Sequence, residues 1–283
     1  MQFDINTYLN SLPDDTNVID VSNKGLKNLP ALSRFKKLER LNCSDNELTS
    51  LPPLNENLKK LDCSNNQLKS LPPLNKNLKK LYCNNNELTS LPPLNEKLED
   101  LDCFDNQLTS LPSLNVKLEL LDCYNNQLTS LPPLNENLKY LYCNNNQLTS
   151  LPPLDEKLEI LDCKSNQLTS LPPLNVKLGT LLCYNNQLRS LPPLNDKMYL
   201  IFSNNPIHNI LSNFHSENTI LMNIATNKIN KFRDSYYSLK FKKHFIKWLW
   251  KSKEKQIAEK YHPKYLLENL DENTDLDELL NNW

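Results

Sequence analysis

From Leu61 to Lys80 the chain reads LDCSNNQLKSLPPLNKNLKK, and close copies of this segment lie before and after it. Its cysteine marks a period, because the eight cysteines of the chain follow one another at intervals of twenty residues. They are Cys43, Cys63, Cys83, Cys103, Cys123, Cys143, Cys163 and Cys183. A constant period of this length indicates a solenoid of stacked repeats, in which each repeat contacts only its neighbours.

The first half of the unit predicts a strand followed by a turn. Leu61 and Cys63 alternate with Asp62, which is the period of a β-strand with one face directed inward. Asn66 stands where the chain leaves the strand, and its amide can hydrogen-bond backbone groups of neighbouring turns. Equivalent residues of successive units should therefore stack as an asparagine ladder. They are Asn46, Asn66, Asn86, Asn106, Asn126, Asn146, Asn166 and Asn186.

The second half of the unit predicts the convex side of the solenoid. Four leucines are expected to fill the space behind the strand: Leu68, Leu71, Leu74 and Leu78. Pro72 and Pro73 should hold this side extended, close to polyproline II, and prevent a long helix.

The array continues beyond the units that carry cysteine. Residues 19–21 fit a degenerate first strand, with Lys24 in the asparagine position, and residues 200–207 fit a last unit that is one residue short. We therefore expect ten parallel strands, starting near residues 19, 41, 61, 81, 101, 121, 141, 161, 181 and 200. At about 4.8 Å per strand, the concave sheet would be about 45 Å long.

The pattern LxCxxNxLxxLPxLxxxLxx resembles the leucine-rich repeat, with cysteine in the second apolar position. The short unit with LPxL is similar to that of bacterial secreted effectors and of leucine-rich repeat proteins from mimivirus-type giant viruses. The asparagine-rich and lysine-rich composition and the C-terminal segment 261–283 resemble the viral group. The resemblance implies an α/β repeat solenoid, a curved array with a parallel concave sheet, an extended polyproline convex side and helical caps. It assigns no biochemical activity to any residue.

These observations divide the chain into an N-terminal helical cap at 1–16, about ten leucine-rich repeats at 17–207, and a helical C-terminal cap or tail at 208–283. The N-terminal helix is predicted from apolar residues at helical spacing, and Pro13 should end it. These apolar residues are Ile5, Tyr8, Leu9 and Leu12. Caps are expected because the end repeats of a solenoid otherwise expose apolar faces.

The C-terminal segment has a divided charge. Between residues 228 and 264 there are twelve Lys or Arg against three acids, whereas residues 265–283 contain six acids and no base. A basic helix that carries Trp248 and Trp250 could lie on an anionic membrane or on nucleic acid. Alternatively, its apolar stripe covers the last repeat and the acidic tail neutralises it. The sequence leaves both interpretations open.

Several enzyme classes are excluded by residues that the chain lacks. Gly25 and Gly179 are the only glycines, so glycine-rich phosphate loops and the GxSxG turn cannot form. Thioester chemistry in the C-terminal part would need a thiolate, yet no cysteine follows Cys183. We therefore predict no enzymatic activity, no cofactor and no small-molecule substrate.

The cysteines and histidines do not predict a metal site. The cysteines share one core position and form no CxxC pair, which predicts buried free thiols and a reducing compartment. None of the histidines lies at metal-ligand spacing from another ligand. They are His208, His215, His244 and His262. The start of the chain does not resemble a secretory signal, and no apolar run reaches the roughly 18 residues of a membrane span. We therefore expect an intracellular protein, in the host cytoplasm if it is viral.

The candidate site is the concave face. Three outward positions vary from unit to unit: the residue before the strand leucine, the residue between leucine and cysteine, and the residue after cysteine. Aromatic residues occupy only these positions of the unit and alternate with aspartates, a composition typical of protein-binding surfaces. We expect these side chains to be exposed and to bind a partner. They are Tyr82, Phe104, Tyr124, Tyr140, Tyr142, Tyr184, Asp102, Asp122 and Asp162. The alternative is that strands simply favour aromatic residues.

The predicted function is non-enzymatic recognition of a protein or peptide on this face, as a viral or effector adaptor in a host cell. The aspartates would repel phosphates, so the concave face does not favour nucleic acid, and they could hold a basic peptide between tyrosine rings. A calcium site is disfavoured because we expect the aspartates to lie too far apart to converge on one ion. The alternative function is binding of nucleic acid or a membrane surface by segment 228–264, although neither is the partner that the sequence favours.

Overall fold

The computed structural model of the chain describes residues 3–195, 198–207, 230–231 and 241–242. The chain forms two compact units, Met1–Asn227 and Lys228–Trp283. Within the second unit, residues 230–231 and 241–242 are helical, and Phe241 is exposed. The remainder of the predicted C-terminal helices, including Trp248, Trp250 and the four histidines, lies outside the described residues.

A short helix, α1 (Ile5–Ser11), precedes the array. Asp4 begins it as the N-cap, and its carboxylate accepts a hydrogen bond from the Asn6 backbone N–H at 3.0 Å. This satisfies one of the backbone donors that a helix start leaves unpaired. The helix ends at Ser11, and the backbone of the next residue, Leu12, is extended, because a residue before proline avoids the helical conformation. Arg34 then ties this end to the array by donating a hydrogen bond to the Leu12 carbonyl at 3.2 Å.

Ten three-residue strands form one parallel sheet in which every strand pairs with its neighbours in sequence. This confirms the predicted solenoid. The strands are β1 (Val18–Asp20), β2 (Arg40–Asn42), β3 (Lys60–Asp62), β4 (Lys80–Tyr82), β5 (Asp100–Asp102), β6 (Leu120–Asp122), β7 (Tyr140–Tyr142), β8 (Ile160–Asp162), β9 (Thr180–Leu182) and β10 (Tyr199–Ile201). Successive strands pair at equivalent positions, as in Leu61 with Leu81. A displacement of twenty residues along the chain is therefore a step of one strand across the sheet.

The core is a stack of identical layers. Leu61, Cys63, Leu68 and Leu78 are fully buried, and their equivalents repeat along the array. Of the four leucines predicted to fill the space behind the strand, the two on either side of the prolines are only half-buried in this unit. These leucines lie on the extended segment that forms the convex surface, where the chain shields only one side of them.

The predicted asparagine ladder is confirmed, and each amide connects two turns. The Asn126 side chain donates hydrogen bonds to the carbonyls of Cys103 at 3.1 Å and Cys123 at 3.2 Å, which belong to successive turns. Its Oδ1 accepts a hydrogen bond from the backbone N–H of Leu108 at 2.9 Å. Asn126 is buried. The ladder therefore satisfies backbone groups that the turn removes from water and that three-residue strands do not pair.

Two further constant positions of the unit have structural roles that the sequence analysis did not anticipate. The residue before each ladder asparagine has a positive φ, between 49° and 55°, in the cysteine-bearing units. It is Asn or Asp except at Ser165, because these two side chains tolerate the left-handed region best. On the convex side a second asparagine column links turns, as where Asn135 donates to the Asn115 and Leu118 carbonyls at 2.8 Å and 3.1 Å.

The eight cysteines are free thiols and all are buried. Burial raises the pKa of Cys43 and of Cys183 to about 12, and it raises the pKa of the six thiols between them as well. A thiol must ionise and be accessible in order to react. The ladder of thiols is therefore chemically inert while the array is folded.

We expect the native protein at pH 8 to react with Ellman's reagent about 10³-fold or more slowly than the urea-unfolded protein, since reaction requires an opening that costs most of the folding free energy. The rate of thiol modification followed by absorbance checks this. In urea all eight cysteines should react. A native thiol that reacts at the unfolded rate would show that its unit is not packed as described.

Candidate protein-binding face

The outward side chains of the sheet form straight rows, because the strands pair at equivalent positions. One row contains the third residue of each strand from β3 to β8, and we call it the Asp/Tyr row. It consists of Asp62, Tyr82, Asp102, Asp122, Tyr142 and Asp162. Neighbours in such a row are about 4.8 Å apart. Two aspartates therefore lie side by side at its centre with a tyrosine on each flank.

The central pair, Asp102 and Asp122, has no cation to compensate it among the described residues. Each residue is half-buried, and the Oδ1 atom of each is buried without a hydrogen-bond partner in the described part of the chain. Burial raises the pKa of Asp102 to about 6, against the opposing effect of the Phe104 backbone N–H. Burial and then the charge of Asp102 raise the pKa of Asp122 to about 7. The array thus carries two carboxyl groups in a costly position.

The other two aspartates of the row are satisfied by side chains of their own units. Asp62 accepts a hydrogen bond from the Ser64 hydroxyl at 2.7 Å. Asp162 accepts one from the Lys164 ammonium at 2.8 Å and is only 5% exposed. Burial opposes the charge of Lys164, but the hydrogen bond and the charge of Asp162 outweigh it and raise the pKa of Lys164. Asp162, a predicted partner contact, is therefore already engaged within the chain.

Aromatic rings surround the central pair. Phe104 and Tyr124, two residues after the paired aspartates, stack with ring centroids 4.3 Å apart and planes inclined by 10°. Burial raises the pKa of Tyr124 to about 12, and it also raises the pKa of the flanking Tyr82 and Tyr142. The rings thus lie beside the carboxylates in a partly buried setting that disfavours ionisation of their own hydroxyls.

The remaining predicted aromatic contacts lie beside this centre. Tyr140 is on the first position of β7, one row away, and its hydroxyl donates to Glu159 at 3.4 Å. Tyr184 lies after β9, and the Lys164 ammonium sits 5.8 Å from its ring centroid. The rings are less exposed than predicted, because all six predicted aromatic residues are half-buried. Side chains in rows this close together shield one another.

The basic residues of the N-terminal turns differ from the central aspartates, because acids on adjacent turns neutralise several of them. The ion pairs are Lys59–Glu39 and Lys79–Glu99, both 2.6 Å, and Lys80–Asp100. Lys60 also lies over the Tyr82 ring, 4.7 Å from its centroid. The two more exposed pairs, Lys59–Glu39 and Lys79–Glu99, contribute at most about 1 kcal/mol each. None of these ion pairs includes Asp102 or Asp122, which therefore have no cationic partner among the described residues.

Two aspartates of the row lie closer together than the sequence predicted. The prediction that the aspartates lie too far apart to share a calcium ion is wrong for one pair, since Asp102 and Asp122 are on adjacent strands and face each other directly. Calcium requires about six to eight oxygen ligands, however, and no group of three or more His, Cys, Asp or Glu within the described ranges could hold an ion.

Among the same residues, no helix combines the length and the apolarity that crossing a bilayer requires.

The chain belongs to the leucine-rich repeat family. The family model described as Leucine Rich repeats (2 copies) matches four overlapping segments, residues 56–96, 76–116, 116–156 and 136–176. The matched segments follow the twenty-residue period that the cysteines mark. None of the curated proteins matches the chain significantly.

Among solved structures, the chain is similar to bacterial effectors. YopM from Yersinia enterocolitica is 33% identical over 71% of this chain and 49% of its own, with a TM-score of 0.63. YopM from Yersinia pestis, a leucine-rich effector protein, is 38% identical over 64% of this chain and 53% of its own, with a TM-score of 0.61. The leucine-rich repeat domain of a Shigella effector is 31% identical over 59% of this chain and 75% of its own, with a TM-score of 0.52. The chain thus spans about half the length of the two Yersinia proteins.

Proposed function

We propose that the chain is a non-enzymatic interaction module that binds a protein or peptide on its concave face, and that it acts as a viral or effector adaptor inside a host cell. The observation that carries this proposal is the centre of the face, where two uncompensated aspartates are bordered by aromatic rings. Such a combination of rigid aromatic area and unmatched charge is typical of binding hot spots. Leucine-rich repeat proteins generally use the concave surface of the solenoid for recognition.

The similarity to effector proteins supports the same function. Effector structures resemble this chain across most of its repeats, and recognition without catalysis needs only the surface that the repeats build. A location in the host cytoplasm agrees with eight free thiols, since a reducing compartment keeps thiols from pairing. The giant-virus resemblance of the sequence is compatible with this location.

The test is capture of partners from host-cell lysate by the full chain, followed by mass spectrometry. The test variant carries Tyr82→Ala, Phe104→Ala, Tyr124→Ala and Tyr142→Ala. We expect its partner to be depleted about tenfold or more, because hot-spot truncations cost about 2 kcal/mol or more each. The half-buried rings also support the sheet surface, so circular dichroism must show that the variant is folded.

The control variant carries Val116→Ser and Val176→Ser, two exposed apolar residues outside the concave rows. It should capture the same proteins as the wild type. If the aromatic variant retains every partner, the concave face is not the recognition surface. A partner that high salt removes and that the aromatic variant retains would instead favour segment 228–264.

A further inference from the structure

We propose that Asp102 and Asp122 together bind the guanidinium group of an arginine in a basic segment of the partner. This inference rests on the proposed function, because it names the chemistry that the concave face recognises. It follows from comparing equivalent positions along the Asp/Tyr row.

At the two ends of the row, a side chain of the same unit hydrogen-bonds or neutralises the aspartate. At the centre, no described side chain does so. The residue two positions after the aspartate determines the outcome. It is Ser64 behind Asp62 and Lys164 behind Asp162, and each binds the aspartate through its side chain. At β5 and β6 the same position holds Phe104 and Tyr124, which stack on each other. These rings border the aspartates without neutralising them, so among the described residues the pair lacks a cation and is open to one from another molecule.

The neighbouring unit shows what such a cation would contact. Lys164 is held between a carboxylate and an aromatic ring, 2.8 Å from Asp162 Oδ2 and 5.8 Å from the centroid of the Tyr184 ring. The central pair offers the same two components, an acid and an adjacent ring, with no described cation between them. The chain therefore contains a built example of the interaction that the centre would make with a partner.

Arginine fits the central pair better than lysine. Two carboxylates on adjacent paired residues are about 5 Å apart, a separation that one planar guanidinium can bridge with its fork of donors. Its flat face can also stack on the Phe104–Tyr124 rings, which a compact ammonium does less well. The site is on half-buried side chains, and partial burial strengthens a charge-assisted hydrogen bond.

The acids around the pair favour a cationic ligand. After burial, the charges of Asp62 and Asp105 raise the pKa of Asp102. After burial, the charges of Asp102, Asp162 and Asp105 raise the pKa of Asp122. Lys164 faces the same row but is paired with Asp162. A phosphate would be repelled by this group, and a metal ion would lack ligands. Binding should weaken as the pH falls through 7 to 5, because protonation of the central pair removes the charge that a guanidinium needs.

The probe is acetyl-tetraarginine amide, titrated into the full chain at pH 8 and low salt by isothermal calorimetry. The test variant is Asp102→Asn with Asp122→Asn, which keeps the side-chain shape and removes two charges. The control variant is Asp45→Asn with Asp155→Asn, which removes the same charge at sites where most other units already carry asparagine. Circular dichroism verifies that both are folded.

We expect the affinity of the test variant for the peptide to fall about 10- to 100-fold and that of the control to stay within about twofold. On the wild type, the neutral isostere acetyl-tetracitrulline amide should not bind, acetyl-tetralysine amide should bind about tenfold more weakly, and binding at pH 5 should be weaker by about tenfold or more. These wild-type measurements decide the matter even if the test variant fails to fold.

The inference is overturned if the wild type does not bind the arginine peptide, if the citrulline peptide binds equally well, or if the test variant binds as tightly as the control. Such a result leaves the proposed function intact when the aromatic variant still loses its partner from lysate. Conversely, retention of every partner by the aromatic variant refutes the proposed function itself, whatever the peptide does.

Discussion

Leu121→Ala is expected to lower the free energy of unfolding by about 3–5 kcal/mol, whereas Leu120→Ala should lower it by less than about 1 kcal/mol. The two leucines are consecutive on β6, but Leu121 is fully buried and Leu120 faces outward and is half-buried. Truncating Leu121 leaves a cavity between two rigid layers that cannot collapse around it. Truncating Leu120 removes contacts that water can replace.

Urea unfolding followed by circular dichroism measures both variants. Leu120→Ala is the matched control, since it has the same chemistry one residue away. Equal losses from the two variants would contradict the strand register, because a shift by one residue exchanges the inner and outer faces. For Leu121→Ala both the midpoint and the slope of the transition should be compared with the wild type, because a weakened central turn in a repeat array can also reduce the cooperativity of unfolding.

Asn126→Ala is expected to cost about 2–4 kcal/mol, the second-largest effect. The substitution removes the acceptor of the Leu108 backbone N–H and leaves this donor buried and unpaired. The Cys103 and Cys123 carbonyls lose less, because Asn106 and Asn146 also donate to them. The loss is therefore smaller than a count of broken hydrogen bonds suggests.

Gln127→Ala is the control for the ladder, because Gln127 is the next residue and is exposed. It should change stability by less than about 0.5 kcal/mol. Urea unfolding monitored as above compares the two. A loss below about 1 kcal/mol for Asn126→Ala would mean that water can reach the Leu108 N–H, and that the ladder does not seal the turn.

The sequence was sufficient to predict the fold because one signal, the twenty-residue period, fixes which residues are neighbours. Leu61, Cys63 and Asn66 were each assigned correctly to strand, core and ladder from their spacing alone. The left-handed position before the ladder and the second asparagine column were visible in the same alignment of units. They were missed because only the ladder asparagine was considered as a source of hydrogen bonds between turns. At the position before it, asparagine is used because it tolerates a positive φ, which its side-chain chemistry alone does not indicate.

The candidate site was less predictable, because it depends on what each side chain does with its neighbours. The three variable positions of the unit correctly identified the outward residues. They did not reveal that Lys164 neutralises Asp162, or that Phe104 and Tyr124 stack and leave Asp102 and Asp122 without a cation. These outcomes depend on rotamers and distances within a row, whereas the period determines only which residues share it.

The asparagine ladder also has a direction, which bears on synthesis at the ribosome. Asn66 reaches back to the carbonyl of Cys43 at 3.0 Å, in the turn that was made before it. Each turn is therefore completed only when the next one emerges, and helix α1 gives the growing stack a starting platform. We expect the nascent chain to fold vectorially, one turn at a time from its amino end, so that unfinished hydrophobic surface is confined to the newest turn throughout translation.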